Sequence, residues 1–288
     1  LTVRVASVAW KLRRIRRDSE FFGHFHDLIS QAHDQGADLV VFPELMILEL
    51  LHLEPQLVEH EVPMYLSQYS DALEEWVARI SASSNMTLVG GSHFRRSDHG
   101  IVNASPLSEP SGPQGIAEKN NLTTYEREVW RLVPGSGLVT TQDRQIGITV
   151  CYDSEFPEAG RVLAEGGVLI HCVPAFTETV YGYQRVRWCC RARAIENQIF
   201  VAHASLLGSL GREPVVETYG NSAIYAPSME GFPISGVLAE TPLHEEGIAV
   251  ADCDLELLLD IRQSGDVRNW YDRNNGIWRI EERSSLES

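Results

Sequence analysis

Three residues of this 288-residue chain have complementary chemistry, and each follows an apolar run. Cys151 closes Gly147-Ile-Thr-Val150, and the polar, proline-marked stretch Tyr152-Asp-Ser-Glu-Phe-Pro157 follows it. Glu44 comes just after Asp38-Leu-Val-Val-Phe42 and Pro43, and Lys119 just after Gly115-Ile-Ala117. A thiol attacks as its thiolate, and near neutral pH it needs a base or a nearby positive charge to reach that form. A glutamate held in a pocket at a strand end can take the proton, because partial burial raises its proton affinity. A lysine can stabilise both the thiolate and an oxyanion. The Tyr152 backbone N–H, at the turn after the thiol, is a second oxyanion donor. Singly, each residue has a plainer reading: a core cysteine among five, a solvated loop acid, a surface lysine. Their grouping at three strand ends favours chemistry.

The elements that must position them alternate between strands, helices and hairpins. Val3–Val8, 38–42, 87–91, 101–107, 115–117, 138–141, 145–150, 168–173, 199–204, 222–226, 236–240 and 247–252 read as strands. Helices are expected from Asp18 or Ser19 to Gly36, over Ser70–Ser84, from Pro157 to Glu165, over Tyr183–Asn197 and over Leu255–Ile261. Residues 95–100 read as polar loop, and 120–137 as a long loop of the kind that usually carries function. This mixture points to a layered α/β domain, in which strand ends gather along one ligand-binding edge. The boundary is placed at 262, with 263–288 a C-terminal tail. Trp270, Tyr271 and Trp278 in that polar tail suggest that it docks, on its own core or on a second subunit.

Composition narrows the partners. Hydrophobic residues make up 43% and charged residues 22%, as in a globular protein with a large core. A net charge of −16 argues against nucleic acid or an anionic membrane as partner. The one basic run, Lys11–Arg17, is too short to reverse that. Five cysteines without regular spacing, no leader-like segment and no apolar run of membrane length point to a reduced, cytoplasmic protein. Without CxxC or HExxH there is no support for a zinc site, and no metal or other cofactor is expected.

Around these residues the chain resembles the nitrilase (carbon–nitrogen hydrolase) superfamily. The matching pieces are Phe42-Pro-Glu44, Lys119 with Leu122, and Gly147-Ile-Thr-Val-Cys151-Tyr-Asp with Phe156-Pro-Glu158 and Arg161. Arg191-Ala-Arg-Ala-Ile-Glu-Asn197, Gly220–Pro227 and Ala251-Asp252 continue the pattern, in the family's order, to about Arg262. The resemblance implies a four-layer α-β-β-α sandwich with two mixed sheets, pairing into a homodimer with the tail at the interface. It implies no cofactor and a Glu–Lys–Cys triad at Glu44, Lys119 and Cys151 that cleaves a small amide through a thioester. It also implies a second glutamate between Lys119 and Cys151. Counting from Lys119 suggests Glu126, whereas counting back from Pro134-Gly135 suggests Glu128, and Glu128 is the reading adopted. Tyr152-Asp153 after the cysteine looks more like the amidase and ω-amidase-like branches than like true nitrilases.

Glu155 stands where ω-amidase-like members usually have arginine, so an acidic pocket favouring neutral or cationic amides is expected. Phe176 and Thr177 are expected pocket walls, and Asp153 is expected to fix the turn through backbone hydrogen bonds. The arginines of 183–197 read as salt-bridging residues. The rival readings are an N-carbamoyl-amine hydrolase or nitrilase, and a non-catalytic ligand-binding member.

Overall fold

Residues 1–273 are described by the computed structural model. Its strands are β1 (Thr2–Lys11), β2 (Leu39–Val41), β3 (Thr87–Val89), β4 (His93–Ser97), β5 (Gly100–Glu109), β6 (Gly112–Glu118) and β7 (Val139–Thr140), followed by β8 (Ile146–Ile148), β9 (Ile170–Ala175), β10 (Phe200–Leu207), β11 (Ala223–Tyr225), β12 (Val237–Glu240) and β13 (Gly247–Asp254). The helices are α1 (Asp18–Asp34), α2 (Val62–Leu66), α3 (Ser70–Ser84), α4 (Thr124–Glu128), α5 (Pro157–Glu165), α6 (Val180–Asn197), α7 (Leu255–Ser264) and α8 (Asn269–Asp272).

The strands form one mixed, hydrogen-bonded sheet. Its path runs β4-β5-β3-β2-β1-β10-β9-β8-β7, with β6 on β5, β13 on β1, and β11 then β12 on β10. β1, β2 and β3 are parallel, as are β8, β9 and β10; apart from the join of β1 to β10, the other pairings are antiparallel. The two parallel groups meet at a short parallel join, Trp10↔Leu206 and Lys11↔Leu207. Interior strands such as β2 (Leu-Val-Val) are buried throughout, as β-branched runs covered on both faces should be.

Alternation along the strands sorts the core into two clusters. Ala6, Val8, Trp10, Val40 and Leu88 pack with Phe21, Phe25 and Leu28 of α1 and Leu73 and Val77 of α3. Val5, Leu39, Val41 and Val89, from the other face of the same strands, pack with Ile148, Ile170, Cys172 and Phe200 and with helical Ala164, Val186 and Leu258.

Two local expectations need correction. Residues 93–97 form a strand where 95–100 was expected to be loop. They pair with β5 in an antiparallel hairpin closed by Ser97↔Gly100. As an outer strand it carries Arg95 and Arg96, so its sequence lacks an apolar signature. Within 120–137 a short helix, α4, forms behind a capping box at Thr123. After Glu44 the chain enters a buried 3-10 turn, Met46–Leu53. In the tail, the Trp270 indole takes the Arg262 and Arg273 guanidinium groups at 4.8 and 3.6 Å from its ring, and its backbone N–H donates to Gln198. Trp270 thus sits on its own chain; Trp278 lies outside the described residues.

Candidate active site

Glu44, Cys151 and Phe176 each come shortly after the C-terminal end of a parallel strand (β2, β8 and β9), and Lys119 directly follows β6. Side chains brought to one edge in this way are held by the sheet and still reach a cavity. Two of these junctions use left-handed backbone at residues other than glycine: φ is 52° at Leu45, beside the base candidate, and 47° at Cys151 itself. Such conformations cost about 1–3 kcal/mol each and persist where the surroundings enforce them. At Leu45 the N–H donates to Ser92 Oγ, 3.1 Å away. At Cys151 the carbonyl accepts from Ser154 Oγ at 2.7 Å.

Lys119 is the centre of the cluster. Its Nζ donates to Glu44 Oε1 and Glu126 Oε1, both at 2.8 Å, and all three side chains are buried. The second glutamate in the cluster is therefore Glu126. Glu128, the reading adopted from the count back from Pro134-Gly135, is exposed and lines a separate surface cavity with Val58, Glu59 and Arg131. The physical reason is the cap of α4. Glu126 Oε2 accepts from the Thr123 N–H and hydroxyl at 2.8 and 2.9 Å, which turns the carboxylate inward and leaves Glu128 pointing out. The signature Thr123-x-x-Glu126 marks this cap in the sequence and separates the two candidates.

A further residue, Asn103 on β5, escaped the sequence reading. Its Nδ2 donates to Glu44 Oε1 at 2.9 Å and to Glu126 Oε1 at 3.1 Å. Its one sequence signal is an amide within a largely apolar strand that also carries Ser105 and Ser108. Phe176 does more than line a wall. Its N–H donates to Glu44 Oε2 at 2.9 Å, and its carbonyl lies 3.5 Å from Cys151 Sγ as acceptor. Asp153 ties the cysteine turn to the lysine strand. It accepts from the N–H groups of Asn120 and Asn121 at 3.0 and 2.7 Å, and from Asn121 Nδ2 at 2.9 Å. Its backbone bonds thus go to the Lys119 loop.

The electrostatics follow from burial and the two acids around one lysine. Loss of water raises the Glu44 pKa and the neighbouring Glu126 charge adds to it, against the pull of Lys119. Burial would also raise Glu126, but Lys119 and the hydrogen bonds from Thr123 and Asn103 hold it below the usual range. Burial alone would lower Lys119; the charges of Glu126 and Glu44 outweigh it and keep the ammonium form. Burial, then Glu44, pushes the Cys151 thiol well up. The resting state is thus a neutral thiol beside a carboxylate with raised proton affinity, which suits proton transfer during attack.

Cys151 opens onto two cavities. An inner one of about 90 Å³ is lined by Glu44, Lys119, Glu126, Trp130, Phe176 and Glu178, and admits only a few heavy atoms. An outer one of about 560 Å³ includes Tyr152, Glu155, Phe176, Thr177 and Arg185. A larger cavity, about 800 Å³, lies against Arg14–Arg17, Tyr65 and Tyr69 and shares no residue with this cluster, so size alone misplaces the site. At the outer wall Glu155 is paired with Arg185 at 3.2 Å, so its charge is compensated. The Thr177 hydroxyl donates to the Tyr219 carbonyl at 2.7 Å. Tyr152 packs its ring edge-on to Phe156. On α6, Arg187 and Arg193 pair with Glu240 and Glu196, as expected of salt-bridging residues.

The family model described as carbon-nitrogen hydrolase matches residues 4–263. The probable hydrolase YhcX of Bacillus subtilis is 32% identical over 286 residues, 97% of this chain; the chain spans only 55% of that relative's length. Omega-amidase NIT2-B of Xenopus laevis is 23% identical over 90% of this chain and 91% of its own. Among solved structures, Nit3 of Saccharomyces cerevisiae, a nitrilase-superfamily member, superposes with a TM-score of 0.73 at 22% identity, covering 91% of this chain and 93% of its own. The amidase of Nesterenkonia sp. AN1, seen with acrylamide added at its active-site cysteine, gives 0.70 at 23% identity, covering 90% and 96%.

Proposed function

The chain belongs to the carbon–nitrogen hydrolase family, and from that premise we propose that it hydrolyses the C–N bond of a small linear amide through a thioester on Cys151. The observation that carries the reading is one buried lysine shared at 2.8 Å between Glu44 and Glu126, in a cavity that also contains Cys151. Sγ attacks the carbonyl carbon as its proton passes to Glu44. An ammonium has three N–H donors; the two carboxylates occupy two, and the third is left for the developing oxyanion. The Tyr152 N–H is the second donor. The C–N bond then breaks and Glu44 returns the proton to the leaving ammonia or amine. Glu44 next takes a proton from water, which attacks the thioester, and the acid leaves as the thiol reforms. Glu126 keeps Lys119 charged and in place. The inner cavity takes the reacting amide; Glu155, Phe176 and Thr177 border the rest of the substrate. The pairing of Glu155 with Arg185 makes that border less acidic than Glu155 alone suggests, so neutral amides are the preferred class.

We read the two strand groups as facing layers of an α-β-β-α sandwich, supported by the core cluster that joins alternate residues of β1–β3 to β8–β10. Exposed Val162, Trp188 and Ile195 on α5 and α6 support a homodimer formed through helices. Ammonia release from a panel of amides, N-carbamoyl amines and nitriles tests the reaction class. Turnover confined to nitriles or carbamoyl compounds would overturn the amide reading, and no turnover of any would overturn the enzyme reading.

A further inference from the structure

Asn103 has an arrangement that the reaction scheme does not use. The oxygens Glu44 Oε1 and Glu126 Oε1 each accept from the same two donors, Lys119 Nζ and Asn103 Nδ2, at 2.8, 2.8, 2.9 and 3.1 Å. Two like-charged oxygens are thus clamped by one cation and one neutral amide. The amide cannot be turned round, because its oxygen would then face two carboxylates. In the orientation that results, Asn103 Oδ1 is buried and has no hydrogen-bond partner among the described residues. An orphaned buried acceptor costs about 1–3 kcal/mol, and such costs in a native fold call for a reason. The backbone adds a second link: the Asn103 carbonyl accepts the Lys119 N–H at 2.8 Å. One residue therefore sets both the backbone position of the lysine and the positions of its two counter-charges.

The consequence falls on the other oxygen of Glu44. Oε1 is fully engaged by Lys119 and Asn103. Oε2 accepts the Phe176 N–H, and the carbonyl of that same residue lies 3.5 Å from Cys151 Sγ. We propose that Asn103 is a positioning residue: it locks Oε1 of Glu44 against Lys119, so that Oε2 is the atom presented to the Cys151 proton. It acts through Glu44 and touches neither substrate nor thiol. The inference rests on Glu44 being the base in the proposed reaction.

Asn103→Leu removes both donors with little change of side-chain volume, and Asn103→Ser is a second variant with less apolar bulk against the carboxylates. A carboxylate that loses a hydrogen-bond donor holds its proton more tightly. The acid limb of kcat/KM should move to higher pH in both variants, with kcat down at least ten-fold and KM changed less than two-fold. The second readout needs no substrate: the pH dependence of Cys151 alkylation by iodoacetamide, followed on its peptide by mass spectrometry, should move in the same direction. Thermal unfolding of each variant separates these effects from loss of fold. An unmoved acid limb in both assays, with activity lost only in proportion to folded protein, would make Asn103 a structural residue and overturn the proposal. Should alkylation shift while no amide is turned over, the positioning role stands and the amidase reading falls. Should neither variant fold, wild-type alkylation decides: a Cys151 rate without an acid limb, or one unchanged in Glu44→Gln, overturns the proposal.

Discussion

Replacing Glu126 by glutamine should disable the site, while the same change at Glu128 should not. Glu44 Oε1 and Glu126 Oε1 are at most about 5.6 Å apart, since each lies 2.8 Å from the same nitrogen. At an effective dielectric constant near 20, two unit charges at that separation repel by about 3 kcal/mol. Removing the Glu126 charge therefore lowers the proton affinity of Glu44. The Coulomb sign is unambiguous: Glu126 raises Glu44, so its neutralisation moves the acid limb of kcat/KM to lower pH and weakens the base. The amide also cannot satisfy both sides of the old carboxylate. Its NH₂ must face either Lys119 and Asn103 or the Thr123 donors, at a cost of about 1–3 kcal/mol in stability. The expected result is a loss of about 10²-fold or more in kcat/KM for Glu126→Gln, with the acid limb shifted down. Glu128→Gln, at an exposed position, should stay within two-fold. Ammonia release across pH 4–9 measures both. Equal losses in the two variants, or an acid limb in Glu126→Gln that stays put or moves up, would refute the reasoning.

Other expectations follow from contacts outside the reacting cluster. Glu246 is half-buried; burial alone would raise it, but hydrogen bonds from His24 and Arg13 hold it down at about 2, against 4.5. A depressed acid contributes stability that is present above pH 4.5 and is lost as pH falls towards 2. Glu246→Gln should cost about 1–2 kcal/mol at pH 7 after allowance for solvent screening. The gap from wild type in urea midpoint should narrow below pH 4.5; a constant gap would be the wrong outcome. A Cβ at Gly135 would lie 2.3 Å from Glu118 Cβ, and the Gly135 N–H donates to the Lys119 carbonyl at 2.8 Å. Gly135→Ala should lower kcat several-fold and stability by about 1–3 kcal/mol, and unchanged kinetics would contradict this. Asp153→Ala strands the Asn120 and Asn121 N–H groups, so a drop in kcat of roughly ten-fold and about 2 kcal/mol of stability is expected; wild-type kcat would show that the Lys119 loop holds itself.

Much of this site was legible before the structure because each of Glu44, Lys119 and Cys151 follows a strand whose apolar run is itself easy to read. What remained hidden was decided by short-range hydrogen bonding. Glu126 and Glu128 differ by two residues, and distance along a loop cannot separate them; the Thr123 cap does, by fixing which carboxylate turns inward. Asn103 is one of several polar residues on its strand, with Ser105 and Ser108, and its partners come from Glu44 on one side and Glu126 on the other. Phe176 acts through its backbone, which no side-chain pattern reveals. The same limit affected the fold. β4 carries arginines because it lies at the outer end of the sheet path, and Met46–Leu53 is buried on nearly every side, so it lacks the period that would mark it.

The central claim is that Cys151 carries the acyl group. Enzyme turning over an amide, quenched in acid within the turnover time and digested, is examined by mass spectrometry. The account expects the acyl mass on the peptide containing Cys151, and on none containing Cys172, Cys189, Cys190 or Cys253. Steady turnover with no acyl mass on Cys151 at any quench time would contradict it.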